Sequence, residues 1–321
     1  MMKQKVYVSE PIHPEAISLL RRHFEVIQGQ DLEHIVKEAQ GCAGILIRSV
    51  KITAEMMDAV PSLKVVAKHG MGVDNIDVEY ATQKGILVVN APFSNLNAVA
   101  EHMVMLLLSL SKRTVRMDKL TRAGEFAKRG MYKTAELKGA TVGLIGLGKI
   151  SRMVVKKLSG FEMNIIASDP FVQRKDVNGL PVTLVAPEEV YTRSDFVIVH
   201  TSLLPSTYHL VGAEQLRLMK PAAYIINASR GPVIDEAALI EALKNHELAG
   251  AGLDVFEQEP PAPDNPLFSM ENVILSPHNA ALSDGALLAM AMDSAAGIVD
   301  YLEGRMPKYP CNPSVLRSQE G

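Results

Sequence analysis

The chain reads as an α/β protein built from two doubly wound parallel-sheet domains. Three observations predict this. At 321 residues the chain is longer than one hydrophobic core usually organises. Short apolar runs alternate with helical patterns along most of its length, which is how parallel strands covered by helices read. The stretch TVGLIGLGKIS at 141–151 has the form strand, glycine turn, helix.

In the first part, strands are expected at 6–8, 25–27, 43–47, 64–67 and 86–89, with helices at 14–23, 32–38, 54–59 and 78–84 between them. These make one small doubly wound domain. A long helical pattern over 99–123 then carries Val104, Leu107, Leu108 and Val115 on one side, and its length suits a helix that crosses between domains. After a polar stretch at 124–138 comes the glycine-turn unit. Further strands are expected at 181–185, 196–200, 224–227, 250–254 and 273–276, with helices at 214–219 and 235–245, so that six strands make a complete dinucleotide-binding domain of the Rossmann type. A last helix spans 284–303, and the tail after Gly304, with its three prolines, returns to the first domain rather than starting a third. No repeat at a solenoid period and no low-complexity segment is present.

The glycine turn predicts a cofactor. Val142, Leu144 and Ile145 form the buried strand, Gly146 and Gly148 the turn, and Lys149 opens the helix. Glycine lets the backbone approach a pyrophosphate, and the first amides of the helix then point at the anion from the positive end of its dipole. Asp169 follows the next apolar run, where a carboxylate accepts hydrogen bonds from both ribose hydroxyls and repels a 2′-phosphate; the cofactor expected is NAD rather than NADP. Ser151 stands where the third glycine of the pattern belongs.

Composition narrows the function. A content of 47% hydrophobic and 21% charged residues is that of a soluble globular protein, and a net charge of −3 gives no electrostatic reason to bind nucleic acid or an anionic membrane. Cys42 and Cys311 make neither a metal spacing nor a disulfide framework, so no metal is expected and a reducing cytoplasm is. The N-terminus, MMKQKVYVSE, enters an apparent strand without an apolar core, so no signal peptide is expected, and the longest apolar stretch, 99–110, is interrupted by Glu101 and His102 and too short to span a bilayer.

In an open α/β sheet the site lies beyond the carboxyl ends of the strands. Arg230 follows one strand in NASRG, Asp254 another in DVF, and His278 the last in SPH, with Glu259 in the FEQEPP loop beside them. Reduction of a 2-keto acid by a nicotinamide hydride needs these types: a proton donor for the carbonyl oxygen, a cation for the carboxylate, and an acid to keep the donor protonated. A histidine changes charge near neutral pH and so suits His278 to donate, Glu259 beside it would favour the imidazolium, and Arg230 presents a fork that matches a carboxylate. Each has a plainer explanation. A histidine after a proline is also an ordinary loop residue, Arg230 can cap a helix or meet solvent, and Glu259 lies in an acidic, proline-rich loop. His200 and His102 are taken as structural.

In this order the motifs GLIGLGKIS, IIASDP, VIVHTSLLPST, NASRGPVIDEAAL, GLDVFEQEP and SPHNAA, with KHGMGVDNID and NAPFSNLNAVAEH before them, cover nearly the whole chain. The combination resembles the D-isomer-specific 2-hydroxyacid dehydrogenases, in particular the phosphoglycerate dehydrogenase-like branch. The resemblance implies that Arg230, Glu259 and His278 are catalytic. It implies that Gly146, Gly148, Lys149, Ile150, Asp169, Thr201, Ala228, Ser229, Arg230, Asp254 and His278 contact NAD, with Asp254 near the nicotinamide carboxamide. Gly70, Met71 and Gly72 would hold the substrate carboxylate through backbone amides. It also implies a discontinuous, flavodoxin-like substrate domain at 1–98 plus 287–321, a NAD-binding domain at 99–286, and a homodimer built largely on the latter and the long helix. Phe126 stands where many members carry tryptophan, a difference expected to matter for packing. The regulatory domain of longer members, and serine feedback through it, is not expected.

Substrate choice then rests on the first domain, where Arg48, Lys51, Lys68 and His69 are candidates to line the cleft. Two of them facing inward would favour a second anionic group, such as phosphate or sulfonate; solvated surface charges would not. Val50 adds no cation between Arg48 and Lys51, so hydroxypyruvate or glyoxylate stand beside phosphohydroxypyruvate as substrates. The reading from another class is an NAD(H)-sensing binding protein of the corepressor type with little turnover, since the resemblance includes a transcriptional corepressor. A methyltransferase on a similar fold would need no histidine and glutamate pair at this edge.

Overall fold

The structure is a computed structural model that describes residues 3–29 and 34–317. It divides into two compact units, Met1–Asn95 with Leu282–Gly321, and Leu96–Ala281. The first unit opens with β1 (Lys5–Val8), α1 (Pro14–His23), β2 (Glu25–Gln28), α2 (Ile35–Glu38), β3 (Cys42–Ile47), α3 (Ala54–Asp58), β4 (Val65–Lys68), α4 (Val78–Gln83) and β5 (Leu87–Val89). Leu32 and Glu33, where the second helix was expected to begin, lie outside the described residues. The five strands run parallel in the order β2-β1-β3-β4-β5, the flavodoxin order. Side chains alternate between its faces: Val6, Leu46, Val65 and Leu87 join one core, and Tyr7, Ile45, Val66 and Val88 the other. Both faces are covered, so the strands read as unbroken apolar runs.

The second unit begins with α5 (Leu96–Ser111) and α6 (Thr114–Arg122). The single long helix expected over 99–123 is therefore two. Arg113 between them takes φ +52, the left-handed conformation that interrupts a helix. The reason is burial. Met103, Leu106, Leu107 and Leu110 of α5 sit in the core, whereas no residue of α6 is buried and Val115 is exposed. Beyond Leu110, packing no longer fixes the helix axis. Phe126, expected to matter for packing, is exposed in a 3₁₀ turn, with the Arg129 guanidinium over its ring.

The unit continues with β6 (Thr141–Ile145), α7 (Lys149–Leu158), β7 (Asn164–Ser168), β8 (Thr183–Leu184), α8 (Pro187–Arg193), β9 (Phe196–Val199), α9 (Ala213–Leu218), β10 (Tyr224–Asn227), α10 (Glu236–Lys244), β11 (Gly250–Leu253) and β12 (Val273–Leu275). The parallel sheet has seven strands, not six, because β6 and β7 of the glycine-turn unit both join it; the order is β12-β11-β10-β9-β6-β7-β8. Alternation again sets the faces. Leu144, Phe196, Ile198 and Ile226 pack with α5 and α7, while Ile145, Val197, Val199 and Ile225 pack with α8, α9 and α10. The chain winds outward from β6 to β8 and then returns to β9 on the other side of β6. That reversal is the switch point where α/β sheets bind ligands.

The chain then returns to the first unit as α11 (Asp284–Leu302) and α12 (Ser314–Arg317). By length and composition α11 would pass for a membrane span. It is instead a core helix, with Ala291, Ala295 and Ile298 fully buried over the sheet face of Val65 and Leu87. At Gly297 even a methyl group would lie 2.9 Å from Val89 Cγ2, so the helix sits close on β5. In the tail, the Cys311 N–H donates to the Val88 carbonyl and Asn312 Oδ1 accepts from the Val88 N–H, both at 2.8 Å.

Candidate active site

Gly146 leaves β6 with φ +90, which favours glycine. A side chain there would also collide, its Cβ 2.4 Å from the His200 carbonyl oxygen and 2.9 Å from Thr201 Cγ2. Gly148 is the N-cap of α7 and supplies no side chain to the first amides, and a Cβ on it would meet nothing within 4 Å. The helix start at Lys149 and Ile150 thus has no side-chain cap, which suits an anion. Asp169, just past β7, accepts the Leu147 N–H at 2.7 Å through Oδ2 and the Phe171 N–H at 2.8 Å through Oδ1. Each oxygen keeps a second lone pair, so the carboxylate is held beside the turn and still has capacity for ribose hydroxyls.

At the end of β9, Thr201 Oγ1 and His200 Nδ1 are buried without a partner in the structure. Buried polar atoms are seldom left so unless a ligand or water completes them. Glycine turn, uncapped helix start, acid and orphan hydroxyl together fit a dinucleotide. Ser151 fits the third-glycine position with its side chain wholly buried. Burial, then the Arg230 charge, pushes the His200 imidazole down to about 4, so it is neutral at pH 7.

Asn227 closes β10 and builds the loop beyond it. Its Oδ1 accepts the Ser229 N–H at 2.9 Å and hydroxyl at 2.8 Å, and its Nδ2 donates to the Arg230 carbonyl at 2.9 Å. Ala228 and Ser229 are buried, and Arg230 Nη1 donates to the Ser229 carbonyl at 2.7 Å. Gly231 admits no side chain, because a Cβ would lie 1.8 Å from the Phe256 carbonyl oxygen. The β10 loop therefore presses directly on the loop that leaves β11. On the latter, Glu259 Oε1 accepts the Phe256 N–H at 3.1 Å and Oε2 accepts from His278 Nδ1 at 2.7 Å.

Burial would raise the Glu259 pKa, but the hydrogen bond and charge of His278, the Phe256 amide and the Arg230 charge outweigh it and hold the carboxyl below its usual range. Arg230, Glu259 and His278 thus come together on the loops of three adjacent strands.

His278 itself takes φ +49, a left-handed conformation uncommon outside glycine. Its N–H donates to the Asp254 carbonyl at 2.8 Å. The Asp254 side chain is fully buried: Oδ1 accepts the Ser276 hydroxyl at 2.6 Å and the Asn279 N–H at 3.0 Å, and Oδ2 the Ala280 N–H at 2.9 Å. In the structure Asp254 is the brace of the loop that presents His278. Since the Ser276 proton goes to Asp254, the Ser276 oxygen accepts from His102 Nε2 at 2.9 Å, which ties α5 into the same network. Burial, against the pull of Asp254, holds the His102 pKa below its ordinary value. His102, taken from the sequence as structural, is a brace here; Asn227, Gly231 and Ser276 were not singled out, and the small polar residues closing β10 and following β12 are the signal that points to them.

The first unit holds the remaining candidates. Arg48 follows β3, and its N–H donates to Glu10 Oε2 at 2.8 Å. Burial, opposed and outweighed by the Ser49, Arg48 and Ser9 donors, leaves Glu10 below the usual carboxylate range. Lys68 Nζ donates to the Arg48 carbonyl and, at 2.9 Å, to Asn75 Oδ1, so its charge braces the loop. His69 is buried, and burial followed by the Arg48 charge lowers its pKa. Lys51 is exposed. Gly70 takes φ +138 and donates its N–H to the Lys68 carbonyl; the Met71 carbonyl accepts from Asn90 Nδ2 at 2.6 Å, and Gly72 follows, half-buried.

Residues 104–280 match the model of the D-isomer specific 2-hydroxyacid dehydrogenase, NAD binding domain family. The chain is 40% identical over 97% of its length to a D-3-phosphoglycerate dehydrogenase of Archaeoglobus fulgidus, of which it spans 60%. It is 39% identical to a glyoxylate reductase of Thermofilum pendens, over 99% of this chain and 97% of that one. Among solved structures, the NADPH-dependent glyoxylate/hydroxypyruvate reductase of Sinorhizobium meliloti, in complex with NADP and malonate, superposes with a TM-score of 0.85 at 31% identity over 96% of each chain.

Proposed function

This chain belongs to the D-isomer-specific 2-hydroxyacid dehydrogenase family, with NAD as its cofactor, and we propose that it reduces a small 2-keto acid to the D-2-hydroxy acid or runs the reverse. One observation carries the reading: the 2.7 Å bond between His278 Nδ1 and Glu259, with Arg230 close enough to lower the carboxyl's pKa. Bound NADH supplies the hydride. With Nδ1 committed to Glu259, His278 presents Nε2 as the proton donor to the carbonyl oxygen. Glu259, held ionised, fixes the ring and its tautomer through Nδ1. Arg230 grips the carboxylate and polarises the carbonyl. The Gly70–Met71–Gly72 backbone is proposed as a further carboxylate contact. Because Lys68 is spent on Arg48 and Asn75 and His69 is buried, a substrate with one anionic group, glyoxylate or hydroxypyruvate, is favoured over phosphohydroxypyruvate. A homodimer is proposed on the exposed apolar side chains of α5 and α6, Met105 and Val115, to be checked by light scattering.

The test is NADH consumption with glyoxylate, hydroxypyruvate, phosphohydroxypyruvate, sulfopyruvate and pyruvate, against His278→Gln. We expect turnover with the first two and a fall of about 10²–10⁴-fold in the variant with NADH still bound. Silence across the panel with NADH bound, or full activity in His278→Gln, would overturn the assignment.

A further inference from the structure

We infer that His209 and Glu257 form a latch that sets the spacing between the loop carrying Arg230 and the loop carrying Glu259, and so act as positioning residues for keto-acid reduction. The inference rests on the roles given above to Arg230, Glu259 and His278.

Those two loops follow adjacent strands, β10 and β11, and meet where Gly231 lies against the Phe256 backbone. Contact alone leaves them free to slide. A third segment, between β9 and α9, closes on both. Its backbone runs along the β10 loop: the His209 N–H donates to the Pro232 carbonyl at 2.8 Å, the Val211 N–H to the Val233 carbonyl at 3.1 Å, and the Asp235 N–H returns to the Val211 carbonyl at 3.0 Å. Its side chain reaches the β11 loop instead, where His209 Nε2 donates to Glu257 Oε1 at 2.8 Å. One residue thus holds one loop by its backbone and the other by its imidazole.

Glu257 is fixed from the far side as well. Its Oε2 accepts the Glu236 N–H at 3.1 Å, and its own N–H donates to Glu236 Oε2 at 3.0 Å, which ties the loop to the start of α10. Asn265 Nδ2 holds Glu236 Oε1 at 2.8 Å. Asp235 caps α10 through Oδ1, and its Oδ2 lies 3.9 Å from His209 Nδ1. Glu257 follows Phe256, whose amide bonds Glu259, so a shift at Glu257 is passed to the carboxylate that holds His278.

The cluster is not core. His209 and Glu257 are each about a third exposed, so altering them opens no cavity, and the effect falls on loop geometry. Catalysis is sensitive to that geometry: a displacement of about 1 Å far from the chemistry can cost roughly 10²-fold in rate.

The experiment uses the full chain with Glu257→Gln, His209→Ala, the double variant and His209→Gln, and reads kcat, KM for the best keto acid, NADH affinity and the thermal midpoint. A glutamine at 257 can keep an oxygen for the Glu236 amide only by turning its NH2 toward His209, so the ring holds the bond only as the neutral tautomer with Nε2 accepting, and the charged acceptor is lost. We expect kcat to fall at least about 10-fold in either single variant, with KM and NADH affinity changed less than about threefold. The double variant should be no slower than the slower single one, because both break the same connection. His209→Gln keeps a donor and should recover part of the loss. Parent-like kcat in folded Glu257→Gln and His209→Ala overturns the latch, as does strict additivity; if Glu257→Gln does not fold, His209→Ala against His209→Gln decides. His278→Gln separates the failures. A fully active His278→Gln removes the underlying assignment of the proton donor, whereas an inactive one beside parent-like latch variants removes the latch alone.

Discussion

His278 has a left-handed backbone that costs on the order of 1–2 kcal/mol for a residue with a side chain. The cost is met by what holds it there: the Asp254 carbonyl on its amide and the Glu259 carboxylate on its ring. Asp169 lends itself to a separate test. Its two oxygens hold the Leu147 and Phe171 amides at the edge of the cofactor turn. Asp169→Ala removes the charge that repels a 2′-phosphate, and the ratio of kcat/KM for NADPH over NADH should rise by at least about 10-fold. An unchanged ratio would count against the ribose assignment. His200 makes a pH prediction. Its folded value lies near 4, below the ordinary 6.5, so as pH falls the unfolded chain takes up the proton first. The stability it contributes is whole above pH 6.5, declines between 6.5 and about 4, and is level below. Urea unfolding across that window should show the slope in the parent and a shallower one in His200→Asn.

Elements meet at Gly231, where the β10 and β11 loops touch backbone to backbone. Gly231→Ala has nowhere to put its methyl group except by moving the Phe256 peptide. We expect a loss of about 1–3 kcal/mol in unfolding free energy, with kcat reduced more than NADH affinity; an unperturbed kcat would show that the loop spacing does not matter. At this scale the sequence was informative where burial is two-sided. Val142, Phe196, Ile225 and their neighbours lie in strands packed on both faces, so they stand out as unbroken apolar runs, and the glycine turn marks where one of those runs must end. The break at Arg113 was not legible, because the residues on either side are ordinary helix formers and only the end of core contact at Leu110 stops α5. The same holds for the supports of the site. Arg230, Glu259 and His278 could be picked out by chemical type beyond strand ends, but Ser276 and His102 are 174 residues apart, and nothing local relates them. Their roles come from the strand order.

For the whole molecule, the division of labour between units is measurable. The residues assigned to NAD lie in Leu96–Ala281, whereas Gly70, Met71 and Gly72 belong to the other unit. NADH alone should slow hydrogen exchange at the amides of 146–150, Asp169 and Phe171 and around Thr201, and leave the strands of the first unit near their free values. Equal protection in both units would contradict that division.

The return of α11 to the first unit also sets an order of events during synthesis. β1 to β5 are translated first, but the helix that covers Val65 and Leu87 is made only after the whole of Leu96–Ala281 has left the ribosome. The second unit is continuous and can close as soon as β12 emerges. The first unit, begun earliest, is completed last, and until α11 arrives the Val65 and Leu87 part of a sheet face that α1 shares stays open to water. A nascent chain stalled before Asp284 should for that reason aggregate more readily than the completed chain and depend more on a chaperone.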